Sequence, residues 1–278
     1  MRPAPPWASV LGVATRLTVV GGGRMGEALV AGLMAAGWGA AGDIAVVEKV
    51  EPRRRELAGR FPGLVLADAP ARAEGAVVAV KPGDVEAACR ALGATGTPRV
   101  LSIAAGVPLS SLQAWLGEGV RVVRAMPNTP ALVGAGAAAL AGGTTATDED
   151  LAWAEGLLSA VGTVERVPEH LLDAVTGLSG SGPAYLFLMA EALIDGGVLA
   201  GLPRATSTAL VVQTLLGSAR LLAESGQGPE ALRAAVTSPG GTTAAGLQAL
   251  EERAVRAAFV AAVTAATARS RQLGGKPD

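Results

Sequence analysis

The chain has 278 residues, of which 50% are hydrophobic and only 3% aromatic, and its formal net charge is −1. This length suffices for one large or two moderate domains, and the hydrophobic content excludes a disordered chain. A near-neutral charge with few aromatic side chains argues against a nucleic-acid-binding protein, which usually has a basic face and stacking rings.

Cysteine and histidine each occur once, as Cys89 and His170. A lone cysteine excludes an internal disulfide and fits a reducing compartment, so we expect a cytoplasmic protein. With one residue of each type, a zinc site or a Cys–His pair would need unusual partners, so no metal is predicted. No apolar run reaches the ~18 residues of a membrane span, and no membrane partner is expected. Residues 1–16 are predicted to be an N-terminal tail, with a signal peptide as the weaker alternative.

Short apolar strands alternate with helices from residue 17 to residue 167. Strands are predicted at 17–20, 44–47, 76–80, 100–103 and 120–123, with a last one at 137–140, and helices at 27–36, 85–92 and 109–115. Such alternation predicts an α/β dinucleotide-binding domain over 17–167: a doubly wound, Rossmann-like parallel sheet covered on both faces.

From about residue 168 the chain is rich in Ala and Leu, with breaks near 180–183, 201–203, 226–229 and 238–241. This pattern predicts an all-α domain over 168–278. Four apolar residues fall on one predicted helical face, namely Leu247, Leu250, Ala254 and Ala258. Alanine-rich helices often bury a face against a partner, which suggests an oligomer.

The first glycine cluster has the pattern Gly21-x-Gly23-x-x-Gly26 between a predicted strand and a predicted helix. That is the context of a dinucleotide fingerprint, in which the helix N-terminus attracts the pyrophosphate. The alternative is a glycine turn that serves tight packing. The candidate cofactor-binding residues of this cluster are Gly21, Gly22, Gly23, Arg24, Met25 and Gly26.

The choice between NAD and NADP is left open by the residues after the second strand. Glu48 lies 22 positions beyond Gly26, where an acid usually binds the ribose 2′-hydroxyl and disfavours a 2′-phosphate. Lys49 and the arginines at 53–55 follow, and arginine suits a 2′-phosphate well. The alternative is that these arginines form a solvated helix face.

Two further polar turns follow predicted strands. Lys81-Pro82 ends one strand, and Asn128-Thr129 stands between two prolines after another. Strand ends of a doubly wound sheet present ligand-facing residues, which makes both turns candidates. A strand stop with a surface lysine, and an ordinary turn, are the alternatives.

Two clusters of small residues and hydroxyls lie in the helical half, at 173–185 and 236–243. Successive N–H groups in such clusters can form an anion-holding concavity, and a helix start adds its dipole. Helix capping is the alternative, and it needs only one hydroxyl at each helix. The clusters therefore indicate a small anionic substrate.

These segments together resemble pyrroline-5-carboxylate reductase. They run in that family's order over nearly the whole chain, at 21–29, 78–82, 102–106, 124–130, 173–185 and 238–243. The resemblance implies hydride transfer from NADPH or NADH to the imine carbon of the cyclic imine 1-pyrroline-5-carboxylate, giving L-proline. Reducing an imine requires a held cofactor, a held carboxylate and a hydrogen-bond donor at the ring nitrogen.

The resemblance also implies roles for individual residues. N–H groups around Gly240, Gly241 and Thr242 would bind the substrate carboxylate, and the catalytic Thr243 hydroxyl would orient or protonate the ring nitrogen. Thr176 and Ser181 would line the pocket. Besides the glycine cluster and Glu48, the implied cofactor contacts are Val80, Lys81, Ala104, Ala105, Asn128 and Glu169. The family further implies a homodimer or homodecamer.

Two other functions remain alternatives. One is another two-domain imine or hydroxyacid reductase; hydroxyacid enzymes usually employ a lysine or histidine acid-base in the helical domain. Between residues 167 and 274 this chain has only His170 and no lysine. The other is a non-enzymatic nucleotide-sensing module, which loss of Thr243 or of the paired glycines would favour, yet all are present.

Overall fold

The structure is a computed structural model that describes residues 15–275. Of the predicted N-terminal tail, residues 1–14 lie outside the described residues, and Thr15 already opens the first strand. The described chain folds as two compact units: residues 15–181 with 265–275, and residues 182–264. The predicted boundary between residues 167 and 168 stays a prediction.

The first unit contains a sheet of eight strands in the order β3-β2-β1-β4-β5-β6-β7-β8. The strands are β1 Thr15–Val20, β2 Ile44–Val47, β3 Val65–Ala67, β4 Ala73–Val78, β5 Arg99–Ser102, β6 Arg121–Met126, β7 Gly136–Gly142 and β8 Gly162–Arg166. The strands from β1 to β6 are parallel, which confirms the doubly wound fold. β7 runs antiparallel to β6 and pairs in parallel with β8, a strand that was not predicted, so the sheet is mostly parallel. The short link Thr129–Val133 between β6 and β7 is too short for a parallel crossover.

Helices cover both faces of this sheet. They are α1 Arg24–Ala35, α2 Glu51–Arg60, α3 Val85–Gly93, α4 Leu109–Leu116, α5 Asp148–Ser159 and α6 Leu172–Val175. One cluster of buried side chains packs α1 and α5 on one face, and a second packs α3 and α4 on the other. The apolar runs of β1, β2 and β4 are buried accordingly, because each strand is covered on both sides.

The second unit is built from α7 Gly182–Leu199, α8 Arg204–Glu224, α9 Pro229–Ala235, α10 Thr242–Glu252 and the start of α11 Val255–Leu273. This confirms the all-α prediction. The single helical face predicted across residues 247–258 is wrong: α10 ends at Glu252, and Ala254 has a φ of +53° that interrupts the helix.

The second unit has almost no interior of its own. Among its 182–264 residues only Ser207 is buried. Large apolar side chains are instead exposed, including Phe187 at 65% and Leu188 at 67%. Because apolar burial is the main favourable term in folding, this unit needs an apolar partner surface.

Residues 169–199 form one helical run of 31 residues whose mean hydropathy over an 18-residue window is 1.3, with 6% of that window buried. By length and composition alone it is apolar enough to cross a membrane. One such helix is a weak indication, because apolar helices that pack inside soluble assemblies pass the same test.

Candidate functional site

The predicted dinucleotide turn joins β1 to α1, and its glycines serve different purposes. Gly21 has a φ of +112°, and a Cβ there would lie 2.6 Å from the Ala79 backbone oxygen. A Cβ on Gly26 would overlap the backbone oxygen of Gly21. A Cβ on Gly23 would meet nothing within 4 Å. The fold therefore requires Gly21 and Gly26, whereas Gly23 leaves open space beside the backbone, as close approach of a pyrophosphate demands.

Helix α1 begins at this open space. Gly23 is its N-cap and has no side-chain cap, and the first helical bond runs from the Glu27 N–H to the Gly23 carbonyl at 2.9 Å. The N–H groups of the first turn thus have no partner within the helix and favour an anion. Helix α1 begins at Arg24, three residues before the predicted start, so Arg24 and Met25 belong to this first turn.

Glu48 directly follows β2, beside the glycine turn. One carboxylate oxygen accepts from the Gly22 N–H at 3.1 Å and the other from the Val50 N–H at 2.9 Å. A Cβ on Gly22 would lie 3.1 Å from that first oxygen, so the carboxylate sits against the turn. This is the predicted position for an acid that binds a ribose.

The remaining predicted cofactor residues lie along the same edge of the sheet. The register pairs Val20 with Val47 and Val78, and Ser102 with both Val78 and Arg124. The carboxyl ends of these strands therefore align, and the residues that follow them meet at one edge. Those residues are Gly21 after β1, Glu48 after β2, Val80 and Lys81 after β4, Ala104 and Ala105 after β5, and Asn128 after β6.

Asn128 uses both ends of its amide within the protein. Its Nδ2 donates to the Ser179 carbonyl at 3.0 Å, and its Oδ1 accepts from the Ala137 N–H at 2.8 Å. The side chain therefore ties the end of β6 to β7 and to the segment after α6. Its role toward the cofactor stays a prediction.

Glu169 is also held by protein groups. Its Oε1 accepts from Arg124 at 2.9 Å and from the Leu109 N–H, in the first turn of α4, at 2.7 Å. Arg124 is buried, so this ion pair fixes both α4 and the loop that carries Ala104 and Ala105. Glu169 is a positioning residue here, and its contact with the cofactor stays a prediction.

Residues 173–181 are helical, which corrects the expectation of a loop with bare N–H groups. Between α6 and α7 the chain makes a π-helical turn, Thr176–Gly180, in which the Ser181 N–H donates to the Thr176 carbonyl at 2.8 Å. The hydroxyls of Thr176 and Ser179 donate to carbonyls one turn earlier, at 2.8 and 3.1 Å. Single π turns inside helices frequently mark functional sites.

A cleft of about 630 Å³ in the first unit is lined by Thr176 and Ser181 together with Ala105. The structure thus brings three predicted residues to one cavity. It adds Trp115 and Arg269, which sequence reasoning missed. The end of α11 is held at this cleft by a buried bond from Ser270 to Asp173 at 2.8 Å, which joins residues 97 positions apart. No local sequence signal marks such a contact.

The predicted catalytic segment lies in the second unit, at the start of α10. Gly240 has a φ of +67°, and the Gly241 N–H closes a turn onto the Ser238 carbonyl at 3.1 Å. Gly241 is the N-cap and has no side-chain cap, so the capping alternative for Thr242 and Thr243 is not observed. Within the described residues, the half-buried Thr243 hydroxyl has no hydrogen-bond partner. Beyond the Gly241 N–H, which is used in the turn, the start of α10 offers open N–H groups next to the Thr243 hydroxyl.

The described residues contain no metal-binding cluster, and their one cysteine is buried. Across residues 15–275, no cluster of three or more His, Cys, Asp or Glu side chains could hold a metal ion. Cys89 lies on the buried side of α3, and burial raises the pKa of its thiol to about 11, which disfavours the reactive thiolate.

Two sequence-family models match the chain. The family described as "Pyrroline-5-carboxylate reductase dimerisation" matches residues 169–273, and the one described as "NADP oxidoreductase coenzyme F420-dependent" matches residues 16–106. The two matches cover the helical region and the dinucleotide turn respectively.

Named relatives cover almost the whole chain. Pyrroline-5-carboxylate reductase of Synechocystis is 46% identical over 94% of this chain and 99% of its own length. The pyrroline-5-carboxylate reductase of Mycobacterium tuberculosis is 44% identical over 95% of this chain and 98% of its own length. Among solved structures, the reductase of Coxiella burnetii is 36% identical with a TM-score of 0.88, covering 96% of this chain and all of its own. The Plasmodium falciparum reductase with NADP bound is 30% identical with a TM-score of 0.82, covering 94% and 98%.

Proposed function

Because this chain belongs to the pyrroline-5-carboxylate reductase family, we propose specific roles for its residues in that family's reaction. The chain is an NAD(P)H-dependent oxidoreductase that reduces the imine of 1-pyrroline-5-carboxylate to L-proline, the last step of proline biosynthesis. The observation that carries this conclusion is identity above 40% over more than nine-tenths of the chain. Measuring oxidation of NADH and NADPH with and without the imine tests it.

The glycine turn and the sheet edge form the proposed cofactor site. The N–H groups at the start of α1 bind the pyrophosphate in the space that Gly23 leaves open. Glu48 binds the adenosine ribose, and the residues after β4 and β5 contact the rest of the dinucleotide. Lys81, Asn128 and Glu169 belong to this set, the last two mainly by holding the edge in place. When bound, the reduced nicotinamide supplies the hydride for the imine carbon, which becomes C5 of proline.

The 240–243 segment forms the proposed substrate site. Its uncapped N–H groups and the α10 dipole bind the substrate carboxylate. The ring N–H of the protonated imine donates to the Thr243 hydroxyl oxygen, which keeps the ring oriented while protonation makes the imine carbon electrophilic. Adding a hydride to the protonated C=N bond then gives a secondary amine and needs no further proton from the protein. Thr176 and Ser181, which line the cleft of the first unit, are further proposed substrate-binding residues.

The exposed apolar helices of the second unit fit an oligomer, and residues 169–273 match a dimerisation family. The chain therefore oligomerises through its helical region. We propose a homodimer as the unit and a homodecamer as its further assembly. We also propose that the enzyme works in the cytoplasm, where a free cysteine stays reduced.

The oligomer is predicted to be obligate. Replacing Phe187, which is 65% exposed on α7, by Glu is expected to break the assembly and abolish activity, because a charge cannot enter an apolar interface unpaired. Val133→Glu is the matched control: Val133 is 81% exposed in the first unit and should leave the assembly intact. Light scattering on both variants and wild type measures this. A wild-type monomer that is active at micromolar concentration contradicts the prediction.

A further inference from the structure

The end of β2 carries an acid that is fixed in place by the backbone. The Glu48 carboxylate accepts from the N–H groups of Gly22 and Val50 and is only partly exposed. Two donors on opposite oxygens hold the carboxylate beside the glycine turn in a single orientation. A 2′-phosphate placed next to Gly22 would lie close to this negative charge and be repelled by it.

The first arginine of the basic run lies beside the same glycine turn but is held there by protein groups. Arg53 donates through Nε to the Gly22 carbonyl at 2.8 Å, through Nη2 to Glu27, and pairs through Nη1 with Glu56 at 2.7 Å. Each face of its guanidinium is thus used by the protein, and its side chain is 21% exposed. To recruit Arg53, a 2′-phosphate would have to compete with Glu27, whose side chain is 12% exposed, or with Glu56, whose side chain is 61% exposed.

The next two arginines are occupied as well. Arg54 donates to the backbone carbonyl of Glu48 at 2.5 Å, and Arg55 pairs with Glu51 one turn earlier, also at 2.5 Å. Lys49 is exposed and forms no ion pair within residues 15–275. Among Lys49 and the three arginines, it is the one cation that no protein group of the described chain holds. A single solvated lysine screens a phosphate weakly compared with a bidentate arginine.

From this geometry we infer that the enzyme selects NADH over NADPH, with Glu48 as the specificity-determining residue. The inference rests on the proposed reductase function and adds the identity of the cofactor. Glu48 accepts from the 2′- and 3′-hydroxyls of the adenosine ribose. The arginine run shapes the glycine turn through Arg53 and does not bind the cofactor phosphate.

The test is the dissociation constant of each cofactor, measured by calorimetry without substrate. Wild type should bind NADH about tenfold more tightly than NADPH, because the carboxylate repels the 2′-phosphate. Glu48→Gln, which removes the charge at nearly constant shape, should bring the two constants within about threefold of each other. Glu48→Ser should do the same. Glu51→Gln removes an equivalent charge three residues away, and the wild-type ratio should persist in it.

Arg53→Met distinguishes the two roles of the basic run. If Arg53 only shapes the turn, both cofactors weaken by the same factor. Selective loss of NADPH affinity in Arg53→Met would overturn the inference, as would a wild-type preference for NADPH or a ratio unchanged in both Glu48 variants. Turnover with the imine distinguishes failure of this inference from failure of the proposed function. If wild type turns over the imine but does not prefer NADH, only the cofactor assignment is wrong. If it binds neither cofactor, the proposed function is wrong as well.

Discussion

Gly23→Val is expected to abolish dinucleotide binding, raising the dissociation constant at least about 100-fold, which corresponds to roughly 2.7 kcal/mol. Gly23 has extended backbone angles that valine adopts readily, and a Cβ there meets nothing within 4 Å. The new side chain thus fits the apo fold, yet it fills the space that the pyrophosphate needs. Fluorescence titration with NADH and NADPH measures the loss, and thermal unfolding shows that the fold persists.

Gly26→Ala is the matched control for this prediction. Its Cβ would overlap the Gly21 backbone oxygen, so it should lower the melting temperature of the protein and lose binding through instability. Gly23→Val should keep the wild-type melting temperature within a few degrees. If Gly23→Val retains wild-type affinity, the glycine turn only packs α1 against the sheet and does not bind the cofactor.

Thr243→Ala is expected to lower turnover by about 10- to 1000-fold, or roughly 1.4–4.1 kcal/mol, while cofactor affinity changes little. The hydroxyl has no partner within the described residues and stands in the first turn of α10, next to open N–H groups. Removing the hydroxyl breaks no hydrogen bond within the described part of the protein. The expected effect is therefore a less stabilised transition state and not a less stable fold. Steady-state kinetics with the imine as the varied substrate measures the change.

Two further threonine variants sharpen this result. Thr243→Ser keeps the hydroxyl and should recover most of the activity. Thr264→Ala removes a hydroxyl that donates only to the Val260 carbonyl at 2.9 Å, and it should behave as wild type. Equal turnover in Thr243→Ala and wild type removes Thr243 from the mechanism.

The sequence predicted the doubly wound part of the fold because its signals are local. The apolar runs of β1, β2 and β4 are buried on both faces, and glycines mark the turn that follows β1. Strand β3 was missed because it is only three residues long, and β8 because Val164 is the one strongly apolar side chain among its five residues. Helix α5 was missed although Thr147 and Asp150 form a capping box at its start.

The sequence predicted the parts of the candidate site that depend on local backbone structure. It did not reveal the placements that depend on tertiary contacts. Gly23 and Thr243 could be identified from their neighbours in the sequence, since each stands at the start of a helix among glycines. Glu169 supports the Arg124 guanidinium and the first turn of α4, and Arg269 lines the cleft from the last helix. Those placements depend on contacts between residues far apart in the chain, which spacing does not reveal.

The central claim is that this chain reduces 1-pyrroline-5-carboxylate. The most direct test is to follow NADH and NADPH absorbance with the purified oligomer, adding the imine, and to quantify proline in the product. The account predicts oxidation that depends on the imine and yields one proline for each reduced cofactor consumed. Absence of imine-dependent oxidation, with oxidation driven instead by a keto acid under the same conditions, would contradict it.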